Sequence, residues 1–239
     1  MISRKLRSLA VTATVATAAS SIHRHAHAQP RKPNAIFHTY DANDPSEDRS
    51  VTNAIIAGWS ASAVFDGHGG YSVAQFVSST IMTTISKYLE EMKGSDKDNE
   101  AFDQAIVKAF NEVELQYLDS IRNVYSLGFG SVAKVGSCCL VLLTKGDQLA
   151  VANAGDCRAV LGSKLPMIPN RWYATRLTSE HNARIPIEVL TLQREHPGET
   201  DIVRCKNPHA CYVKGRLQLT RSFGDAYLKY NEFNIDGKK

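Results

Sequence analysis

The chain has 239 residues, of which 43% are hydrophobic and 22% charged, the balance of a globular protein rather than a disordered or fibrous one. The formal charge of +4 is concentrated at the start: residues 1–40 contain Arg4, Lys5, Arg7, Arg24, Arg31 and Lys32 and no acid. Removing those six from 28 basic residues leaves 22 against 24 acidic ones, a net of −2 from Asp41 onward, which excludes a nucleic-acid or anionic-membrane surface as the organising feature of the body.

The first 33 residues are rich in Ser, Thr, Ala, Arg and Lys and lack acids. That is the composition of an organelle-targeting presequence, and a mitochondrial destination is expected from it. A secretory signal peptide, with Ala26-His27-Ala28 as cleavage site, and a plain disordered N-terminus are the alternatives. The uncharged run Leu9–Ser21 is too short and too polar to span a bilayer. The folded domain is expected to begin near Asn34 and to run to Lys239.

Ser60–Asp66 reads as a buried strand that runs directly into Gly67-His68-Gly69-Gly70. Apolar residues at three- and four-residue steps (Val73, Phe76, Val77, Ile81, Ile85, Leu89) predict a helix over Ser72–Met92, and Phe102, Ile106, Ala109, Phe110, Val113, Leu118 and Ile121 predict a second over Glu100–Asn123. The polar tract Lys93–Asn99 is the connection. Ser137–Thr144, Gln148–Asn153 and Arg158–Gly162 read as antiparallel strands joined by tight turns at Lys145-Gly146-Asp147 and Ala154-Gly155-Asp156. A short helix follows near Ile187–Arg194. The pattern is that of an α+β layered domain.

Five scattered cysteines, Cys138, Cys139, Cys157, Cys205 and Cys211, form no disulfide framework, and a reducing compartment is expected. Cys205, His209 and Cys211 lack the fourth ligand and the pair spacing of a structural zinc site. Cys138 and Cys139, adjacent on a strand, should point to opposite faces and serve packing.

The chemistry concentrates where the first strand ends. Asp66 and the carbonyl of Gly67 offer hard oxygen ligands of the kind Mg²⁺ or Mn²⁺ prefers, and His68 can give a proton near neutral pH. A helix cap followed by a glycine turn explains the same residues without chemistry. Glu47-Asp48 upstream reads as a solvated turn when taken alone, and Asp156 as an Asx-turn.

The ordered set ANDPSEDRS, VFDGHGG, VGSCCLVLL, VANAGDCRAVLG, LTSEHN and VKGRLQLTRSFGDAYLK resembles the metal-dependent (PPM, type 2C) protein serine/threonine phosphatases, from about Asn34 to Lys229. Within them it is similar to the pyruvate dehydrogenase phosphatase-like and plant type 2C subgroups. The resemblance implies a four-layer αββα sandwich of antiparallel sheets flanked by helices, with a binuclear Mg²⁺/Mn²⁺ site. By that likeness Asp66 bridges two metals, Gly67 and Glu47 hold one of them, Asp48 orients bound water, and Asp156 lies near an auxiliary third metal. A metal-activated water attacks phosphoserine or phosphothreonine of a protein substrate, and His68 protonates the leaving oxygen. Neither Cys138 nor Cys139 is a nucleophile in that scheme.

Two departures stand out. Asn43 occupies a position where many members carry a phosphate-binding arginine, so the metals or another cation have to capture phosphate. The D-G-x-W-D and D-N motifs that provide later aspartates are absent before Lys239, and Asp236-Gly237 does not replace them; the sandwich is expected to lack its C-terminal strands and to be marginally folded. The competing function is an inactive phosphatase-like module with a binding or regulatory role. No residue pattern speaks to oligomeric state.

Overall fold

The computed structural model describes residues 14–18, 35–40, 44–92, 99–165, 168 and 170–234. The strands are β1 (Thr14–Ala18), β2 (Arg49–Ile56), β3 (Trp59–Phe65), β4 (Gly67–His68), β5 (Gly136–Ser137), β6 (Cys139–Lys145), β7 (Gln148–Ala154), β8 (Val160–Lys164), β9 (Trp172–Arg176), β10 (Val203–Asn207), β11 (Ala210–Val213) and β12 (Phe223–Gly224). The helices are α1 (Ser72–Glu91), α2 (Asn99–Ser126), α3 (Pro186–Glu195) and α4 (Ala226–Lys229).

A five-stranded antiparallel sheet in the order β1-β7-β6-β3-β2 carries one apolar face made by alternate residues: Ala61, Ala63 and Phe65 on β3, Cys139, Val141 and Leu143 on β6, Ala150, Ala152 and Ala154 on β7. Small residues on β3 and β7 let α1 and α2 lie close, and the helices cover this face with Val73, Val77, Ile81 and Ile85 from α1 and Ile106, Ala109, Phe110 and Val113 from α2. Both helices form where the spacing predicts them, with ends moved by at most three residues. Phe76 is half-buried and meets the Tyr117 ring edge-on at 5.5 Å. The outcome is the expected α+β arrangement of antiparallel sheets flanked by helices. Among the described residues the second sheet is the small three-stranded β12-β5-β4.

Several expectations need correction. The segment read as Ser137–Thr144 is two strands, because Cys138 leaves the ladder to give its amide to the carbonyl of Asp66 at 2.8 Å. The strand expected at Arg158–Gly162 does not continue the main sheet; it becomes β8 and pairs with β9 alone, since the turn at Gly155-Asp156 is tied to His181 instead. Thr14–Ala18, inside the segment read as a presequence, pairs with β7 along the sheet edge. Cys205 and Cys211 are disulfide-bonded, contrary to the all-thiol expectation: they face each other in the β10–β11 register, a pairing that no spacing rule supplied. Cys138 and Cys139 are buried thiols, and Cys157 is a half-buried one. The Lys93–Asn99 connection up to residue 98, the remainder of 1–33, Asn43 and Asp236-Gly237 lie outside the described residues.

One polar pair sits inside this core. Glu114 on α2 and Lys229 at the end of α4 are 2% and 7% exposed, and the Nζ of Lys229 donates to Oε1 of Glu114 at 2.7 Å and to the carbonyl of Ser222 at 2.6 Å. The amide of Gly224 donates to Oε2 of Glu114 at 2.9 Å. Burial pushes the Glu114 carboxyl up, opposed by Lys229 and the Gly224 amide. Removing one partner strands a buried charge. Lys229→Met is therefore expected to lower unfolding free energy by about 3–5 kcal/mol, whereas Glu114→Gln with Lys229→Met should lose clearly less, as read from urea titrations of both variants.

Candidate active site

The site is assembled at the end of β3, where the chain leaves the main sheet and enters the small one. Gly67 pairs with Ser137 and His68 with Gly136, so the strand holds Asp66 at a fixed point beside β5. Gly67 has to be glycine for a packing reason: a Cβ there would lie 2.4 Å from the carbonyl oxygen of Glu47. That contact brings the Glu47-Asp48 loop against Asp66-Gly67. Arg49 then pins the loop, donating from NH1 to the carbonyls of Ser46 at 3.0 Å and Asp48 at 2.7 Å and from Nε to Oε1 of Gln75 at 2.7 Å on α1, with its guanidinium 5.1 Å from the Tyr71 ring centre.

The carboxylates singled out from sequence converge. The Asp66 carboxyl pKa is raised, first by partial desolvation and then by the charges of Asp48, Asp156 and Glu47, with His68 opposing. Three carboxylates whose charges oppose ionisation of Asp66, with the Gly67 backbone packed against Glu47, form with it an oxygen-rich set of the kind a divalent cation accepts. The donor chemistry therefore fits Mg²⁺ or Mn²⁺. Asp156 is oriented by Asn182, whose Nδ2 donates to Oδ2 at 3.3 Å, and by the Cys138 thiol 3.5 Å from Oδ1.

Ligand atoms of Asp66, Cys138 and Cys157 also lie within 4.8 Å of one another, a mixed set with softer character. The Cys138 thiol is held far above its ordinary pKa by its hydrogen bond with Cys157 and by burial. It stays protonated at neutral pH, a poor ligand and a poor nucleophile. The two adjacent cysteines do separate: Cys138 faces Asp156, and Cys139 joins the core.

His68 acquires a partner that the sequence reading did not assign. Its Nε2 lies 2.9 and 3.1 Å from the two carboxylate oxygens of Asp225. His68 and Gly224 both pair with Gly136, from opposite sides of β5, so His68 and Asp225 meet over residue 136. A Cβ on Gly136 would stand 2.2 Å from Asp225 and 2.3 Å from His68, so the contact exists only over glycine. Asp225 is 1% exposed and left-handed, at φ 48°, and Ser222 Oγ donates to its Oδ2 at 2.6 Å. Burial pulls the His68 pKa down, but the Asp225 hydrogen bond and charge, with Asp66, outweigh it and leave the pKa raised. Asp225 lies in the quoted RSFGDAYLK motif; the available signal was the motif itself, without a role attached.

The profile of the protein phosphatase 2C family matches residues 32–238. The chain belongs to the protein phosphatase 2C family. It is 38% identical to "Probable protein phosphatase 2C 64" of Arabidopsis thaliana over 171 residues, 72% of this chain and 40% of that protein. It is 34% identical to "Probable protein phosphatase 2C 43" of Oryza sativa subsp. japonica over 200 residues, 84% of this chain and 49% of that protein. The chain thus spans about half or less of the length of these curated relatives. Both are plant proteins, in agreement with the plant type 2C likeness; the pyruvate dehydrogenase phosphatase-like grouping rests on motifs alone. Its fold is that of a serine-threonine phosphatase 2C from Toxoplasma gondii, at TM-score 0.57 and 16% identity over 79% of this chain and 65% of that one. A C. elegans sex determining protein is equally similar, at TM-score 0.57 and 20% identity, covering 92% of this chain and 47% of that one.

The phosphatase 2C motif LTSEHN also explains how the Asp156 turn is held. His181, 1% exposed, gives its amide to the carbonyl of Gly155 at 3.0 Å and takes the Gly155 amide on Nδ1 at 3.2 Å. Desolvation, with Arg221 nearby, lowers its pKa to about 4. An unfolded histidine protonates near 6.5, so the unfolded chain binds the extra proton between about pH 6.5 and 4, and stability falls as pH drops through that window. The wild type is expected to lose more stability there than His181→Asn, by an amount of the order of 3 kcal/mol. Parallel thermal-melt series at several pH values for both proteins check this.

Proposed function

We propose that this protein hydrolyses phosphoserine and phosphothreonine in phosphorylated proteins, with Mg²⁺ or Mn²⁺ held by Asp66, Glu47, Asp48 and the Gly67 carbonyl, and a further ion beside Asp156. The observation that carries the reading is the gathering of three further carboxylates, Glu47, Asp48 and Asp156, around Asp66 next to the His68–Asp225 pair. Bound metal supplies an activated water and offsets the charge of the phosphate.

The chain's own residues do the rest. Nε2 of His68 is occupied by the Asp225 carboxylate, so Nδ1 is the ring nitrogen left to exchange a proton with the leaving serine or threonine oxygen. Asp225 further stabilises the imidazolium from which that proton departs. Arg49, Asn182 and the Gly67–Glu47 contact hold the carboxylates in place without substrate. The protonated Cys138 takes no part in bond making. The rival reading, a phosphatase-like binding module without turnover, leaves the hydrogen-bonded His68–Asp225 pair without a task.

The acid-free, Arg- and Lys-bearing N-terminus motivates mitochondrial targeting as part of the same proposal. Among the described residues no helix is long and apolar enough to cross a membrane. A reporter fused to residues 1–33 should enter mitochondria, and replacing Arg4, Lys5 and Arg7 by Gln should stop it.

The activity is tested with phosphothreonine peptides and Mn²⁺. Turnover should vanish with chelator and with Asp66→Asn. His68→Ala should slow phosphothreonine about 10²–10⁴-fold and an aryl phosphate much less, because an aryl leaving oxygen needs no proton. Asp225→Asn should show the same leaving-group bias. Metal-independent turnover, or equal slowing of both substrates by His68→Ala, would refute the assignment.

A further inference from the structure

Glu180, in the stretch between β9 and α3, has a side chain only 5% exposed, and three arginines close on it. Arg158, just before β8, reaches Oε1 at 2.6 Å. Arg176, the last residue of β9, reaches the same oxygen at 3.0 Å and donates through Nε to the carbonyl of Thr178 at 2.7 Å. Arg184 takes Oε2. One carboxylate offsets one guanidinium, so the cluster keeps a net charge of about +2.

A buried carboxylate is adequately served by a single bidentate guanidinium. Here three share it through one nitrogen each, and their side chains remain 58%, 51% and 40% exposed. Most of their N–H groups have no protein partner among the described residues. Glu180 therefore acts as an anchor that fixes three cations in place while leaving their outward hydrogen-bonding capacity open. Holding like charges together costs energy that an arriving anion returns.

The cluster adjoins the candidate active site. Asn182 accepts the Arg184 amide on Oδ1 at 3.2 Å while its Nδ2 donates to Asp156. We infer that Arg158, Arg176 and Arg184 form a second anion site, which takes a carboxylate or a second phosphate on a residue flanking the phosphorylated serine or threonine of the substrate. The inference rests on the phosphatase reading for the identity of the ligand as a substrate segment, but not for anion binding itself. It gives the protein a preference for acidic or multiply phosphorylated segments, and the body's net charge of −2 keeps the attraction local rather than general for polyanions.

The test uses the full 239-residue chain in chelator, so that metal contributes nothing. Fluorescence anisotropy would compare labelled peptides of one length carrying glutamates, phosphoserines or glutamines, with a single-stranded oligonucleotide as polyanion control. The glutamate or phosphoserine peptide should bind more tightly than the glutamine peptide, and whichever of the two leads identifies the source of the anion. Arg176→Gln with Arg184→Gln should weaken that binding about tenfold, and Arg176→Lys with Arg184→Lys should keep the preference. Arg158 is retained so that Glu180 keeps a partner, and a thermal melt matching wild type verifies the fold. Equal affinity for all three peptides, no change in the Gln variant, or an oligonucleotide bound as tightly as the acidic peptide would overturn the proposal. Hydrolysis of a neutral phosphothreonine peptide is scored separately: its absence sinks the phosphatase reading and leaves the anion-binding result standing.

Discussion

The Glu114 carboxylate, buried on the inner face of α2, joins the packing of the domain to its chemistry. It accepts from the Gly224 amide and from Lys229, and so holds both ends of the short segment that presents Asp225 in a left-handed conformation. That conformation costs a non-glycine residue energy, and the surroundings supply it: Asp225 gives its amide to the carbonyl of Val135 at 2.9 Å and takes the Ser222 hydroxyl. The orientation of the His68 imidazole follows from this chain of contacts. A charge buried in the helix layer thus reaches His68 through the Gly224 amide and the Asp225 carboxylate.

The second constraint is the crowding at Gly67 and Gly136. At each, two backbone segments or a side-chain pair occupy the space where a Cβ would stand. The first brings Glu47 and Asp48 to Asp66; the second lets His68 and Asp225 meet. The carboxylates of Asp48, Asp156 and Glu47 oppose the ionisation of Asp66, and the Asp225 carboxylate beside them favours the protonated form of His68. Such an arrangement stores electrostatic tension in the absence of a cation, which is the physical basis for reading it as a metal-dependent hydrolytic centre rather than as a capped turn.

The Arg158–Arg176–Arg184 cluster has the opposite sign and is joined to Asp156 through Asn182. One buried carboxylate organises it, as Glu114 organises the His68 side. The cationic and anionic regions touch through that Asn182 side chain, whose Oδ1 accepts from the Arg184 amide and whose Nδ2 donates to Asp156.

The helices and the strand leading to Asp66 were legible because their apolar residues repeat at 3.6- and 2-residue periods, and burial depends directly on that repetition. That the acids at 47, 48 and 156 come close enough to Asp66 to act on its ionisation was legible from residue type and motif order, not from periodicity. The tertiary structure alone decided the partners. Glu114 falls in a helical pattern where a charge reads as solvent-facing, and its partner Lys229 is 115 residues away; Asp225 is 157 residues from His68. The β8 pairing, the edge strand Thr14–Ala18, the Cys205–Cys211 bond and the three arginines on Glu180 have the same origin. Local periodicity reports which face of an element is buried, whereas a buried charge or a strand edge is satisfied by whichever segment the fold brings to it, and only the folded chain specifies that segment.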